Sequence, residues 1–268
     1  MNFFDSIWDI INEGNKNKKI AKFNEFYKKY KNTKDINFNR VGEPKSLEKP
    51  CYSDFCDVVS MRNLNKKIPQ KDKNLYFIHS VAHIEFSAID IALDECYRFD
   101  LMSRDFYDDW LEVADDEVRH FLMIEDLLAK NGGYYGCMQV HDGLFVALKK
   151  TENSLLERMA LLPRYMEANG LDANAHIIKK LKKQNASVEL INALQIILDE
   201  EITHVKKGDK WFKYACKIEN IDPLEYVNII QRLYPNSFLT SRELNEEDRL
   251  KAGFSMDEIK IIKQMAIR

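Results

Sequence analysis

The sequence predicts an all-α protein. Its 268 residues include only nine glycines, six prolines and four threonines, which is few for a chain of this length. A shortage of turn formers and of β-branched threonine favours long helices over many short strands. Hydrophobic residues make up 45% of the chain and charged residues 31%, a balance typical of a folded globular protein.

Charge and composition exclude several classes of protein. A net charge of −3 does not suit a polycation that binds nucleic acid by charge alone. The cysteines form no CxxC pair, so we expect no zinc ribbon, rubredoxin-type centre or thioredoxin motif. No apolar run reaches the roughly 18 residues of a membrane-spanning helix, so no membrane partner is expected. The cysteines are Cys51, Cys56, Cys96, Cys137 and Cys216.

The N-terminal residues, MNFFDSIWDI, include an early Asp5 and no basic region, unlike a secretory signal. We therefore expect a cytoplasmic protein with reduced thiols. The sequence leaves the oligomeric state open, with a dimer as one option.

Three segments are predicted along the chain. Residues 1–71 form an N-terminal helix over 1–34, followed by an extended wrap that does not fold alone. Residues 72–218 form the main helical body. Residues 219–268 form a C-terminal extension of two helices, separated by a loop at Pro235-Asn236-Ser237.

The main body divides into long helices with predicted ends. Asn131-Gly132-Gly133 and Asn169-Gly170 are typical C-terminal stops. The stretch GGYYGCMQVHDGL makes a long connection between the second and third helices. The predicted helices lie near 73–100, 104–130, 152–169, 173–184 and 186–217.

Two ExxH motifs are the candidate functional motifs of residues 72–218. They are Glu117-x-x-His120 and Glu201-x-x-His204, one on the second helix and one on the last. Residues three apart on a helix share a face, so each pair can reach one point. Both pairs interrupt otherwise apolar stripes, which places them towards a core rather than towards solvent.

Two further glutamates occupy the core stripes of the other helices. Glu85 precedes Glu117 by 32 residues, and Glu167 precedes Glu201 by 34 residues. Each half of the body therefore contains one glutamate and then one ExxH motif. This repetition predicts a two-fold pseudo-repeat with a long crossover between its halves.

Burying four carboxylates and two imidazoles without compensation is very costly. Two divalent cations would balance the four negative charges. A polar network satisfied by arginine or lysine is the alternative, but neither residue type lies on these inner stripes. Glutamate and histidine without thiolate suit iron or manganese better than zinc.

The pattern resembles the ferritin-like di-iron carboxylate proteins, which build a four-helix bundle with this ligand arrangement. Asp116-Glu117-Val118-Arg119-His120 matches the DExRH form of oxygen-activating members. The resemblance implies two iron ions, with Mn/Fe or Mn as alternatives, dioxygen as co-substrate, and Glu117 and Glu201 as bridges. The second motif departs from DExRH, with Glu200 and Thr203 at the Asp and Arg positions. The implied ligands are Glu85, Glu117, His120, Glu167, Glu201 and His204.

Longer segments, among them HSVAHIEFSAID, FYDDWLEVADDEVRHF and DEEITHVKKGDKWF, look like a bacterial ferritin-like family. That family is distantly similar to the tRNA hydroxylase that acts on isopentenyl-adenosine. The resemblance implies an oxygen-activating oxidase or hydroxylase, with an unidentified electron donor and a tRNA or nucleoside as one possible substrate. Iron handling by a ferroxidase or peroxidase, and a helical scaffold with a structural metal, are the alternatives.

We expect the lysine-rich stretch Lys16–Lys34 to be a solvated helix face. An RNA partner that binds this stretch and Lys179–Lys183 is the alternative. Among polar neighbours of the predicted ligands, Asp116, Asp199 and Glu200 are candidates to orient a ligand histidine, or else surface acids. Arg119 is a candidate to pair with an acid across the bundle.

Several other residues have competing interpretations. His141 is a candidate for an entrance or a proton relay, or else an anchor for its loop. His79 and His83 flank the Glu85 stripe, so we expect ordinary hydrogen-bonded histidines there. Pro163 lies one turn before Glu167 and is expected to kink or widen its helix. Cys96 is expected in the core.

Overall fold

The computed structural model describes residues 1–33, 35–64, 68–238 and 243–266. The described chain is mostly helical with almost no strand, which confirms the all-α prediction. It divides into two compact units, Met1–Lys149 (unit 1) and Lys150–Arg268 (unit 2). The predicted segment 72–218 includes parts of both.

A pair of long helices, α3 and α4, forms the body of unit 1. The short N-terminal helix α1 packs on α3, and α2 packs on α4. Strands β1 and β2 pair in parallel, with Val58 opposite Val140. The elements are α1 (Phe3–Ile11), α2 (Lys16–Asn32), β1 (Val58–Val59), α3 (Lys73–Arg98), α4 (Arg104–Lys130), β2 (Val140–His141) and α5 (Gly143–Lys150).

The segment predicted as one helix over 1–34 is two helices, because the chain provides two N-terminal caps. The side chain of Asn2 accepts a hydrogen bond from the Asp5 N–H, and Asn15 accepts from the first turn of α2. The end of α4 agrees with the sequence: Gly132 has a φ of +77° just past Lys130. Lys34 and residues 65–67 of the predicted wrap lie outside the described residues.

Unit 2 is built around the long helix α8. The helices α6 and α7 pack against α8, and α9 and α10 complete the unit. A π-helical turn, Leu162–Glu167, joins α6 directly to α7. The helices are α6 (Leu155–Leu161), α7 (Ala168–Lys183), α8 (Val188–Glu219), α9 (Tyr226–Leu233), α10 (Glu246–Lys251) and α11 (Met256–Ala266).

The predicted helix stop at Asn169-Gly170 is wrong. The chain stays helical through both residues and on to Lys183. One glycine costs a helix only about 1 kcal/mol, and burial of Leu171 and Ile178 outweighs that cost. Two helices were predicted in the C-terminal segment, whereas its described residues form three α-helices, α9 to α11. Residues 239–242 and 267–268 of that segment lie outside the described residues.

The helix distortion expected at Pro163 is confirmed as the π-helical turn. Proline has no N–H to donate, so the regular ladder cannot continue through it. The turn packs closely against α8 at Gly208, where a Cβ atom would lie 2.2 Å from Pro163 Cβ. Gly208 therefore permits the approach of the two elements.

We predict that Gly208→Ala destabilises the protein. The added methyl would overlap Pro163, and overpacking costs about 1–3 kcal/mol, more than the gain of about 1 kcal/mol in helix propensity. Urea unfolding should show a lower midpoint. Gly170→Ala is the matched control, because a Cβ there meets nothing within 4 Å and should raise stability slightly. Equal midpoints for Gly208→Ala and the wild type would contradict the close contact.

Candidate metal centre

A buried glutamate–histidine group lies between α3 and α4 in unit 1. Glu85 comes from α3, and Glu117 and His120 come from one turn of α4. His120 Nδ1 lies 3.2 Å from Glu85 Oε2 and 3.5 Å from Glu117 Oε2. All three side chains are buried, with His120 fully so. We call this set the first Glu/His group.

The pKa shifts of Glu85 and His120 indicate that the first Glu/His group needs positive charge. Burial raises the pKa of Glu85 to about 7, although the neighbouring His120 opposes the rise. Burial alone would lower the pKa of His120, but the carboxylates of Glu117 and Glu85 raise it well above its usual range. A proton or a divalent cation supplies the charge that this group needs.

The first Glu/His group fits a metal ion by donor type and geometry. One ligand atom from each of the three residues lies within 4.8 Å of the others. Two carboxylates and one imidazole are ligands that iron, manganese and zinc accept. The described structure thus contains a buried group that can hold a metal ion.

Unit 2 contains the other three predicted ligands. His204 Nδ1 lies 3.8 Å from Glu201 Oε2 on one turn of α8, and His204 is fully buried. Glu167 is the last residue of the π-helical turn, which packs against α8. We call Glu167, Glu201 and His204 the second Glu/His group. The division into units thus falls between the two halves of the predicted pseudo-repeat, with one glutamate and one ExxH motif in each unit.

The charged neighbours differ in their contacts. Arg119 is exposed and forms an ion pair with Asp116 on its own helix, and the pair across the bundle stays a prediction. The i,i+3 spacing explains the pair with Asp116, since the two side chains already lie on one face of α4. Asp199 is exposed and accepts a hydrogen bond from Gln195, while Glu200 is half-buried.

His79, His83 and His141 belong to a hydrogen-bonded cluster in unit 1, as expected for the first two. Gly136 N–H donates to His79 Nε2 at 3.0 Å. His83 Nε2 lies 2.8 Å from the carbonyl oxygen of His141, and its Nδ1 lies 2.9 Å from the Tyr135 hydroxyl.

The partners of His83 determine its tautomer. A carbonyl oxygen only accepts, so Nε2 carries the proton and the Tyr135 hydroxyl donates to Nδ1. Burial lowers the pKa of His83 to about 3, which keeps the ring neutral. His141 itself accepts a hydrogen bond from the Gly143 N–H at 3.2 Å, so it anchors the connection after α4.

Several buried cations of the described chain were not predicted from the sequence, among them Lys19, Arg164 and Arg249. Lys19 forms an ion pair with Asp90 and donates to the carbonyl of Ile11 at 2.8 Å, fixing α2 to α3. Arg164 and Arg249 are buried in unit 2. Stripes of apolar residues cannot reveal such cations, because each finds its carboxylate partner only in the folded chain. The one local signal was the position of Arg164, inside a helical segment directly after Pro163.

Several lysines of α2 have acidic partners inside unit 1. Lys16 pairs with Glu125 of α4, and Lys22 lies 2.9 Å from Glu13. These contacts explain part of the lysine content of residues 16–33 without a partner molecule. The second cluster, on α7, is exposed at Lys179, Lys180, Lys182 and Lys183.

These features define an all-α protein with a buried glutamate–histidine group that can hold a metal ion. The chain belongs to the family described as "Protein of unknown function (DUF455)", whose model matches residues 12–260. It is 34% identical over 189 residues to an uncharacterized protein of Haemophilus influenzae, a match that covers 68% of this chain. The match spans 65% of that relative, less than two thirds of its length. No solved structure matches the chain.

Within the described residues, none of the helices combines the length and the apolar character needed to cross a membrane.

We predict that Tyr135→Phe lowers the free energy of unfolding by about 1 kcal/mol, because His83 Nδ1 loses its buried donor. Chemical denaturation of the variant and the wild type measures the difference. Tyr134→Phe is the control, since Tyr134 is 65% exposed and its loss should change little. If Tyr135→Phe unfolded at the wild-type midpoint, the hydrogen bond to His83 would carry no net stability.

Proposed function

We propose that this protein binds two iron or manganese ions and uses them to activate dioxygen, as an oxidase or hydroxylase. The observation that carries the proposal is the first Glu/His group, a buried set of two carboxylates and one imidazole on facing helices. Such a set is costly to bury without a cation. The di-metal form rests on the sequence pattern, in which a second glutamate and ExxH motif repeat the first.

The residues of the first Glu/His group would hold a metal through Glu85, Glu117 and His120 Nδ1. When bound, reduced iron or manganese supplies electrons to dioxygen. The helix pair keeps these ligands in place, because α3 and α4 pack along their length. Phe86 and Phe121, next to Glu85 and His120 in the chain, are fully buried, and their ring centroids lie 4.9 Å apart.

The second Glu/His group would contribute Glu201, His204 and Glu167. Glu201 and His204 lie on one face of α8, and Glu167 stands at the end of a π-helical turn. Turns of this kind occur frequently at functional sites, where the extra residue redirects a side chain. The ferritin-like resemblance supports the assignment of all six residues to one pair of metals.

A tRNA or nucleoside substrate is suggested by the resemblance to the isopentenyl-adenosine hydroxylase and by the exposed lysines of α7. An unidentified electron donor would deliver electrons. Ferroxidase or peroxidase activity uses the same ligands, and a structural metal would use them without redox chemistry.

We predict about two iron or manganese ions per chain for protein purified anaerobically from cells supplied with both metals. Elemental mass spectrometry gives the content. The double variant Glu117→Ala, Glu201→Ala should lose both ions, because each motif loses its carboxylate. Glu112→Gln, an exposed position on α4, serves as the control and should retain them. If the folded wild type contained less than about 0.2 metal ions per chain, both Glu/His groups would be polar networks of the core rather than metal sites.

We predict that the reduced, metal-loaded protein consumes dioxygen with an optical change, whereas the double variant does not. Stopped-flow absorption and an oxygen electrode measure both. Repeated turnover of ferrous iron with mineral growth would favour the ferroxidase alternative. A structural metal predicts a protein inert to oxygen and peroxide that unfolds when a chelator removes the metal.

A further inference from the structure

The π-helical turn before Glu167 requires support from outside its own helix. A π turn has one more residue per turn than an α-helix and is rarely stable alone. Pro163 removes a donor within it. If the turn relaxed to regular α-helix, each later side chain would rotate by about 100° about the axis. Glu167 would then leave the face that the second Glu/His group needs.

Arg164 anchors the turn on its N-terminal side. The guanidinium is fully buried, donates from Nη2 to Glu258 Oε1 at 2.7 Å, and has its Nε 3.1 Å from Asp209 Oδ1. Its Cζ also lies 4.4 Å from the ring centroids of Tyr226 and Phe254. Glu258 belongs to α11, so the C-terminal part of unit 2 holds the turn.

Two further side chains satisfy backbone carbonyls on either side of Glu167. The Tyr226 hydroxyl donates to the carbonyl of Arg164 at 2.8 Å. Arg249 donates to the carbonyl of Ala168 at 3.2 Å and to Asp172 Oδ2 at 2.7 Å. The contacts thus come three residues before and one residue after the proposed ligand, where a widened turn leaves carbonyls in need of donors.

We infer that Tyr226, Arg249 and Glu258 form a C-terminal clamp that positions Glu167 for metal binding. The inference rests on the proposed function, and it gives the C-terminal helices α9, α10 and α11 a role in the metal centre. The clamp residues touch no metal themselves; they act through Arg164 and the backbone of Ala168. They are positioning residues, comparable to the partners that orient metal ligands elsewhere.

The test compares Tyr226→Phe and Glu258→Gln with the wild type. Tyr226→Phe removes one hydroxyl and keeps the ring beside Arg164, and Glu258→Gln keeps the shape of the carboxylate. Arg232→Gln is the matched control, because the exposed Arg232 of α9 forms an ion pair with Glu157 away from the clamp. Circular dichroism verifies the helix content of each variant. Tyr226→Phe decides the test if Glu258→Gln does not fold.

Three measurements are made on full-length protein. Hydrogen exchange follows peptides covering residues 162–172 in metal-free protein. Elemental mass spectrometry counts iron per chain, and cobalt(II) absorption reports the ligand geometry. In the clamp variants we expect exchange of the turn to become about tenfold faster, metal affinity to fall about 10–100-fold at one of the two ions, and the cobalt spectrum to change. Arg249→Lys, which keeps a cationic donor, should retain more metal per chain than Arg249→Gln.

The outcomes separate the two proposals. Clamp variants that bind two metals with the wild-type cobalt spectrum and affinity would overturn the clamp and leave the proposed function intact. A folded wild type that binds neither iron nor cobalt would overturn the proposed function, and the clamp with it. Faster exchange, weaker metal binding and an altered spectrum in the clamp variants, with Arg232→Gln unchanged, support the clamp.

Discussion

The burial of carboxylates beside an imidazole is the constraint on which the rest of the structure depends. Glu85 and Glu117 lie on facing helices and share His120 between them, out of contact with water. Such a group is unfavourable unless positive charge accompanies it. The long α3–α4 pair encloses the group, and its need for positive charge is what makes it suited to a metal.

Two kinds of buried charge thus coexist in the chain. Arg164 is matched with two carboxylates, and Arg249 and Lys19 are each matched with a carboxylate and a backbone carbonyl, so their burial is explained by structure alone. In the first Glu/His group, by contrast, His120 lies beside two buried carboxylates, an arrangement whose negative charge a metal ion would balance. The contrast separates residues that hold the fold from residues that we propose to hold a metal.

The glutamate and the ExxH motif lie on different kinds of helix in the two units. In unit 1 the glutamate and the ExxH motif come from uninterrupted α-helices. In unit 2, Glu167 ends a π-helical turn whose shape depends on Pro163, on the close approach of Gly208 and on side chains from the C-terminal helices. The pseudo-repeat is therefore a repeat of residue types rather than of local geometry.

The sequence by itself determined the helical class, the bounds of α4 and the face of each ExxH motif. These depend on local rules: glycine stops helices, and residues three apart share a face. It misplaced the stop at Gly170, because burial of Leu171 and Ile178 outweighs a local preference. Only tertiary structure placed His120 beside Glu85 and gave Arg164 its partners, since such contacts join residues that the helical period does not relate. Partner choice among buried charges is decided by packing.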